Sequence, residues 1–271
     1  MSGKEIRVKK FFRNKKNLVI TALDHVMFYG YQIGLEDAKK ALHNCIDTDA
    51  IILSQYMLDH NPEIFSEVVS PIPIVRLNWS SSFYYPLDYR EGNMAITTTV
   101  EDAVRAGAEY VICSLFLEEE NAQSREAENI TLFSRAVREK ERLGIPLIGE
   151  CYVVEHKDLT KEQLHDKVRR VTRIIAELGA DFIKTFFTGD RFHEVVENTP
   201  VPLFTIGAEK LNTDIEVLKK ADESVKQGAR GIIFGRNIFM AKDPKKLIKA
   251  INLVINNGKD PEEAAQEFGL I

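Results

Sequence analysis

The stretch TKEQLHDKVRRVTRIIAELGADFIKTFFTGD, residues 160–190, contains one complete helix-to-strand unit. Thr160, followed three residues later by Gln163, has the pattern of a capping box, in which side chains satisfy the first free backbone N–H groups of a helix. Leu164, Val168, Val171, Ile175 and Leu178 then recur at helical spacing as one apolar stripe, and Gly179 closes the helix. Asp181–Phe186 follows as a short apolar run without polar alternation, the pattern of a parallel strand covered on both faces. One charged residue, Lys184, interrupts it.

The same unit recurs outward in both directions. Runs at Leu18–Leu23, Ala50–Leu53, Ile72–Leu77, Tyr110–Leu115, Pro146–Val154, Pro202–Ile206 and Gly231–Phe234 read as further strands, eight with Asp181–Phe186. Helix punctuation stands between them: Thr99 with Asp102 and then Gly107, Thr213 with Leu218, Ala221 and Val225 and then Gly228, and Asp260-Pro261 as N-cap and first helical residue. Strand and helix alternating eight times, with right-handed crossovers, predict a single α/β domain, a (β/α)8 TIM barrel. The competing fold is an open doubly wound sheet, which usually carries a glycine-rich turn after its first strand; here that position reads Asp24-His25-Val26-Met27. The segment from Asn78 to Thr98 exceeds ordinary loop length and would follow the third strand on the active-site face of a barrel.

The 271 residues suit one barrel of about 250. A net charge of −5 argues against a dedicated nucleic-acid binder but leaves room for a local anion site. Cys45, Cys113 and Cys151 are far apart and form no CxxC pair, so reduced thiols in the cytoplasm are expected rather than a disulfide framework or zinc site. No apolar run reaches the roughly 18 residues a membrane span needs. Residues 1–16 are basic and lack the apolar stretch of a signal peptide, which predicts a short surface arm.

Barrel enzymes carry their catalytic groups at the C-terminal ends of strands. Ionisable residues stand there repeatedly: Asp24 after the first strand, Glu150 and Tyr152 in the fifth, Lys184 in the sixth and Arg236 after the eighth. A desolvated lysine amine can attack a carbonyl to form an imine, an electron sink beside which a carbon–carbon bond breaks or forms. The plain alternative for Lys184 is a strand-end lysine paired with a carboxylate, for which Glu150 is the natural partner. Tyr152 offers a phenol for proton transfer, or simply a core tyrosine with a satisfied hydroxyl. Asp24 either assists the lysine and substrate or caps a turn, and His25, of opposite parity, reads as structural. Gly207 and the pair Gly235-Arg236 follow the seventh and eighth strands, where such barrels bind phosphate. Lys210 and one of Ser80, Ser81 and Ser82 are secondary candidates for the same anion. Cys151 has the parity of a helix-facing residue.

These residues resemble a family. ALDH at Ala22–His25, DFIKTFFTGD at Asp181–Asp190, TPVPLFTIGAEK at Thr199–Lys210 and GARGIIFGRNIFMAKDP at Gly228–Pro244 are similar to the archaeal-type class I fructose-bisphosphate aldolases. That group lies within the deoxyribose-phosphate and tagatose-bisphosphate aldolases, beside the aminodideoxy-heptulosonate synthases and the autoinducer-2 thiolase. The resemblance implies an imine on Lys184, assistance from Asp24, proton transfer by Tyr152 and a phosphate held by Gly207, Gly235 and Arg236. It also implies a phosphorylated small-molecule substrate, no metal or other cofactor, and a homo-oligomer, in many members a decamer. This chain departs from the family at Val26, at Ala208, at the Val153-Val154-Glu155 run after Tyr152 and at Glu118–Glu120. Those departures bear on substrate identity. A transaldolase- or thiolase-like transferase, a non-catalytic sugar-phosphate sensor and a phosphate-binding isomerase are the alternatives.

Overall fold

Strands that are apolar on both faces must be covered on both sides, and the chain achieves this by closing a ring. The computed structural model describes residues 3–12, 15–83, 87, 89–119 and 123–271. Eight parallel strands form a closed barrel: β1 (Leu18–Ala22), β2 (Ala50–Leu53), β3 (Ile72–Arg76), β4 (Tyr110–Leu115), β5 (Leu147–Cys151), β6 (Phe182–Thr185), β7 (Leu203–Ile206) and β8 (Gly231–Phe234). The ring closes where β1 lies against β8, with Leu18 opposite Gly231 and Thr21 opposite Phe234.

Strand alternation divides the buried residues into two sets. Val19, Ile51, Val75, Val111, Leu147, Ile183, Leu203 and Ile232 pack outward against the helices. Ile20, Ile52, Ile74, Ile112, Ile148, Phe182, Phe204 and Ile233 form a separate cluster inside the barrel. The expected caps are present, with reciprocal capping boxes at Thr160–Gln163 and Thr213–Glu216, a Thr99 cap, and Asp260 ahead of Pro261. Five strands are shorter than the sequence suggests: β1 ends at Ala22, β3 at Arg76 and β5 at Cys151, while β6 spans only Phe182–Thr185 and β7 begins at Leu203.

The N-terminal segment departs from the expected surface arm. Gly3–Phe11 is a helix whose lysines stay outside while Phe11 is fully buried. Phe11 stacks on Tyr110 at 4.3 Å and lies 5.0 Å from Phe182, and the Tyr110 hydroxyl donates to the Arg7 carbonyl at 2.5 Å. The reason is steric: the first inward residues of the strands leave an aromatic-lined opening at the N-terminal mouth, and a ring from outside the barrel fills it. The long segment after β3 folds back on itself, Asn78–Trp79 pairing antiparallel with Ala95–Ile96. Tyr84, Tyr85, Pro86, Asp88 and Glu120 lie outside the described residues. Among the described residues no helix is long and apolar enough to cross a membrane.

Candidate active site

Inward parity carries the interior set upward into a polar layer. Arg76 shares its face of β3 with Ile72 and Ile74, Ser114 shares its face of β4 with Tyr110 and Ile112, Glu150 follows Ile148, and Lys184 follows Phe182. The apolar floor therefore ends in four polar side chains, with Asp24 completing the layer from the turn after β1.

These groups are joined. Lys184 Nζ lies 2.5 Å from Glu150 Oε1. Arg76 Nη1 donates to Glu150 Oε2 at 2.6 Å and to Ser114 Oγ at 2.6 Å, while its Nε donates to Asp24 Oδ2 at 2.8 Å. The Ser114 hydroxyl also donates to Glu150 Oε2. Asn78 holds Ser114 from both sides, accepting from its N–H at 2.9 Å and donating to its carbonyl at 3.1 Å. Arg76 is 1% exposed and Glu150 3%. Burial alone would push the Glu150 carboxyl up, but Arg76 and Lys184 outweigh it and hold the group below the usual carboxylate range.

Above this layer opens a cavity of about 180 Å³, lined by Lys184 and Glu150 on one side and by Gly207, Ala208, Gly235 and Arg236 on another. Glycine is required at two of these positions. A Cβ on Gly207 would stand 2.6 Å from Asn237 Nδ2, and one on Gly235 would stand 2.3 Å from His25 Cε1 and 3.0 Å from the Ala22 carbonyl oxygen. Asn237 ties the turn after β7, donating to the carbonyls of Gly207 and Glu209 and accepting from Leu211 N. Arg236 Nη2 donates to the Ala208 carbonyl at 2.7 Å, so the two candidate phosphate loops are joined directly. Ala208 sits at φ 54, a left-handed conformation that glycine adopts more readily than alanine.

Tyr152 lines the cavity within an aromatic wall, its ring 5.0 Å from Phe83 and 5.6 Å from Phe186. Burial pushes its phenol above the ordinary range, so it is protonated at neutral pH. Asp24 is 1% exposed and does not line the cavity; it meets the site through Arg76. His25 departs from the reading as a residue turned away. β1 stops at Ala22, the chain turns, and parity no longer applies, so the imidazole lines the cavity beside Gly235. Burial lowers its pKa to about 4 despite the opposing charge of Asp24, with Lys184, Arg236 and Arg76 acting in the same direction as burial, and it is neutral at physiological pH.

The secondary candidates fall elsewhere. Ser80 and Ser82 are buried and bond within their own loop: Ser80 Oγ accepts from Ser82 N, and Ser82 Oγ accepts from Gly92 N. Lys220, not singled out in the sequence, reaches the Gly207 carbonyl at 2.9 Å, while Lys210 does not line the cavity. In the glutamate run, the Glu119 carboxyl is pushed up to about 9, first by burial and then by the neighbouring Glu155 carboxyl. Lys167 pairs with Glu155 and donates to the Glu118 carbonyl at 2.6 Å, tying the loops after β4 and β5 together. The three cysteines are buried and free, and Cys151 packs outward as its parity predicts.

The family model of DeoC/LacD family aldolases matches residues 21–241 of the chain. An uncharacterized aldolase of Saccharolobus solfataricus is 34% identical over 97% of this chain and 98% of its own length. A 3-hydroxy-5-phosphonooxypentane-2,4-dione thiolase of Salmonella typhimurium is 29% identical over 98% of this chain and 87% of its own. In fold, the chain is similar to a Schiff-base-forming fructose-1,6-bisphosphate aldolase at a TM-score of 0.79 and 24% identity, covering 92% of this chain and 99% of that one. It is likewise similar to a fructose-bisphosphate aldolase from Slackia heliotrinireducens at a TM-score of 0.82 and 15% identity, covering 98% of this chain and 90% of that one. The chain belongs to the DeoC/LacD family of aldolases and is an enzyme of the class I aldolase type.

Proposed function

We propose that the enzyme cleaves or forms a carbon–carbon bond in a phosphorylated ketose through an imine on Lys184. The observation that carries this reading is the placement of the Lys184 amine on the floor of a cavity whose opposite wall is the Gly207–Ala208 and Gly235–Arg236 pair of loops. The Lys184 ammonium first releases a proton to water. The lone pair of the resulting amine forms a C–N bond to the ketone carbon, and the carbonyl oxygen leaves as water, carrying one proton from the nitrogen and one taken back from solvent, to give the iminium. In cleavage, the electron pair of the adjacent carbon–carbon bond moves toward the iminium and yields an enamine. The hydroxyl proton of the departing fragment passes to a base as that fragment becomes an aldehyde. Tyr152 is the group for that proton: its protonated phenol, the dominant form at neutral pH, donates to the aldehyde oxygen in the bond-forming direction, and cleavage, as the reverse step, draws on the small population in which that phenol is deprotonated. Asp24 supports this chemistry from behind Arg76.

Phosphate binding is assigned to the backbone of Gly207 and Gly235 and to Arg236. Truncation Arg236→Ala is expected to raise KM for a phosphorylated ketose by about 10- to 100-fold, the loss of one charge-assisted contact of roughly 1.5–3 kcal/mol. Steady-state kinetics on phosphorylated and unphosphorylated forms of one sugar check this; an equal effect on both would remove Arg236 from the phosphate site. Tyr152→Phe is expected to lower kcat by about 100-fold or more while leaving imine formation in place. An unchanged kcat would move proton transfer to another group, with neutral His25 the next candidate.

A second reading, a thiolase-like transfer of the cleaved fragment to an acceptor, is favoured by the similarity to the Salmonella thiolase. Product analysis of fructose 1,6-bisphosphate and related phosphorylated ketoses, with and without an added thiol acceptor, separates the two. Aldehyde release without acceptor supports the lyase. Turnover only in its presence supports the transferase.

A further inference from the structure

Glu150 touches the lysine nitrogen and is therefore the obvious acceptor for its proton. The surroundings argue otherwise. Oε1 faces Lys184 Nζ at 2.5 Å, and Oε2 accepts from both Arg76 Nη1 and Ser114 Oγ. Arg76 is held by Asp24 on its far side and by the rings of Phe28 and Phe83, which lie 5.7 and 5.8 Å from its guanidinium carbon. It cannot swing away without leaving Asp24 buried with no guanidinium beside it and Glu150 with Lys184 as its one cation, a change that costs several kcal/mol.

We propose that Arg76 is a positioning residue that commits Glu150 to act as the fixed counter-ion of the Lys184 nitrogen throughout the reaction and excludes it from proton transfer. This rests on the imine reading. The nitrogen carries a positive charge as ammonium and as iminium but is neutral in the enamine. At the enamine stage Glu150 loses one of its two cationic partners. If Arg76 were absent, the buried carboxylate would then take up a proton, and the return to a protonated iminium would lose its electrostatic pull. With Arg76 present, the charge on Glu150 survives the neutral stage. The other titratable groups near Glu150 do not compete for this role. Asp24 is engaged by Arg76, and the Cys113 and Cys151 thiols, on the outward faces of β4 and β5, are pushed up to about 12 by burial and remain neutral. Tyr152 and His25 are neutral on the cavity side.

The test is the pH dependence of imine formation. The probe is dihydroxyacetone phosphate with cyanoborohydride, and the readout is the initial rate of adduct formation on Lys184 by mass spectrometry from about pH 5 to 9. In Arg76→Met the acid limb is expected to move up by about one pH unit or more, because the Lys184–Glu150 pair keeps its proton to a higher pH once the guanidinium beside it is gone. Arg76→Lys keeps a charge beside Glu150 and is expected to hold the limb near its wild-type position, although it cannot span both carboxylates. If Arg76→Met does not fold, Ser114→Ala carries the test with a smaller upward shift. A wild-type limb in Arg76→Met, or in Ser114→Ala where that variant stands in, overturns the proposal. So does an Arg76→Lys limb displaced as far as that of Arg76→Met. Absence of any adduct in the wild-type enzyme is a different failure, that of the imine itself.

Discussion

Substitution Lys184→Met is expected to lower kcat/KM by about 10⁴-fold or more, since the other amine lining the cavity, Lys157, is paired with Glu209 at 2.5 Å at the exposed rim. Methionine matches the lysine stem in length and sits above the interior apolar cluster, so the fold has little reason to fail. Glu150 keeps Arg76 and Ser114 as partners after the change, which removes the usual cost of orphaning a buried charge. Lys184→Arg is the stricter companion. It retains the positive charge beside Glu150 but offers no nucleophilic amine at working pH. Both variants are expected to be folded by circular dichroism and inactive by coupled assay. Activity within tenfold of wild type in either would support the isomerase reading, which needs no imine.

The largest expected effect on stability lies at the closing seam. Gly231 begins β8 opposite Leu18 with φ 129, and a Cβ there would stand 2.1 Å from the Leu18 carbonyl oxygen and 2.6 Å from its nitrogen. Backbone cannot yield as a flexible side chain does. Gly231→Ala combines a forbidden φ with a steric wedge between β1 and β8, for an expected loss of about 3–5 kcal/mol. At roughly 2–4 °C per kcal/mol for a chain of this size, the melting temperature should fall by about 10 °C. Gly258→Ala is the control: it has φ 70 with nothing within 4 Å, so only the conformational penalty of about 1 kcal/mol applies. Equal losses in the two variants would mean that the seam is not as tight as it stands here.

The barrel was legible because parallel strands buried on both faces write themselves as short apolar runs. The helices between them carry hydroxyl caps that survive in the structure at Thr99, Thr160 and Thr213. Lys184 was legible for the same reason, as a charge inside an apolar run, and its partner Glu150 followed from parity. Arg76 carries the same signal in IPIVR, one charge within an apolar run, and stands outside the candidate set because a guanidinium does not transfer protons at neutral pH. Its parity with Ile72 and Ile74 was sufficient to place it. His25 was misplaced because parity applies only while the strand continues, and β1 stops three residues earlier. Lys220 reaches back to the β7 turn from the second turn of the helix that follows it, a contact set by how that helix packs rather than by its sequence pattern. Phe11 belongs to the same class: a helix of weak amphipathic character gives no sign that one of its rings closes a barrel mouth.

The central claim is the covalent role of Lys184, and borohydride trapping tests it most directly. The enzyme is incubated separately with dihydroxyacetone phosphate and fructose 1,6-bisphosphate, reduced, digested and mapped by mass spectrometry. The account predicts a stable reduced adduct on the peptide carrying Lys184, absent in Lys184→Met. No adduct with either compound, nor with a wider panel of phosphorylated ketoses, would contradict it.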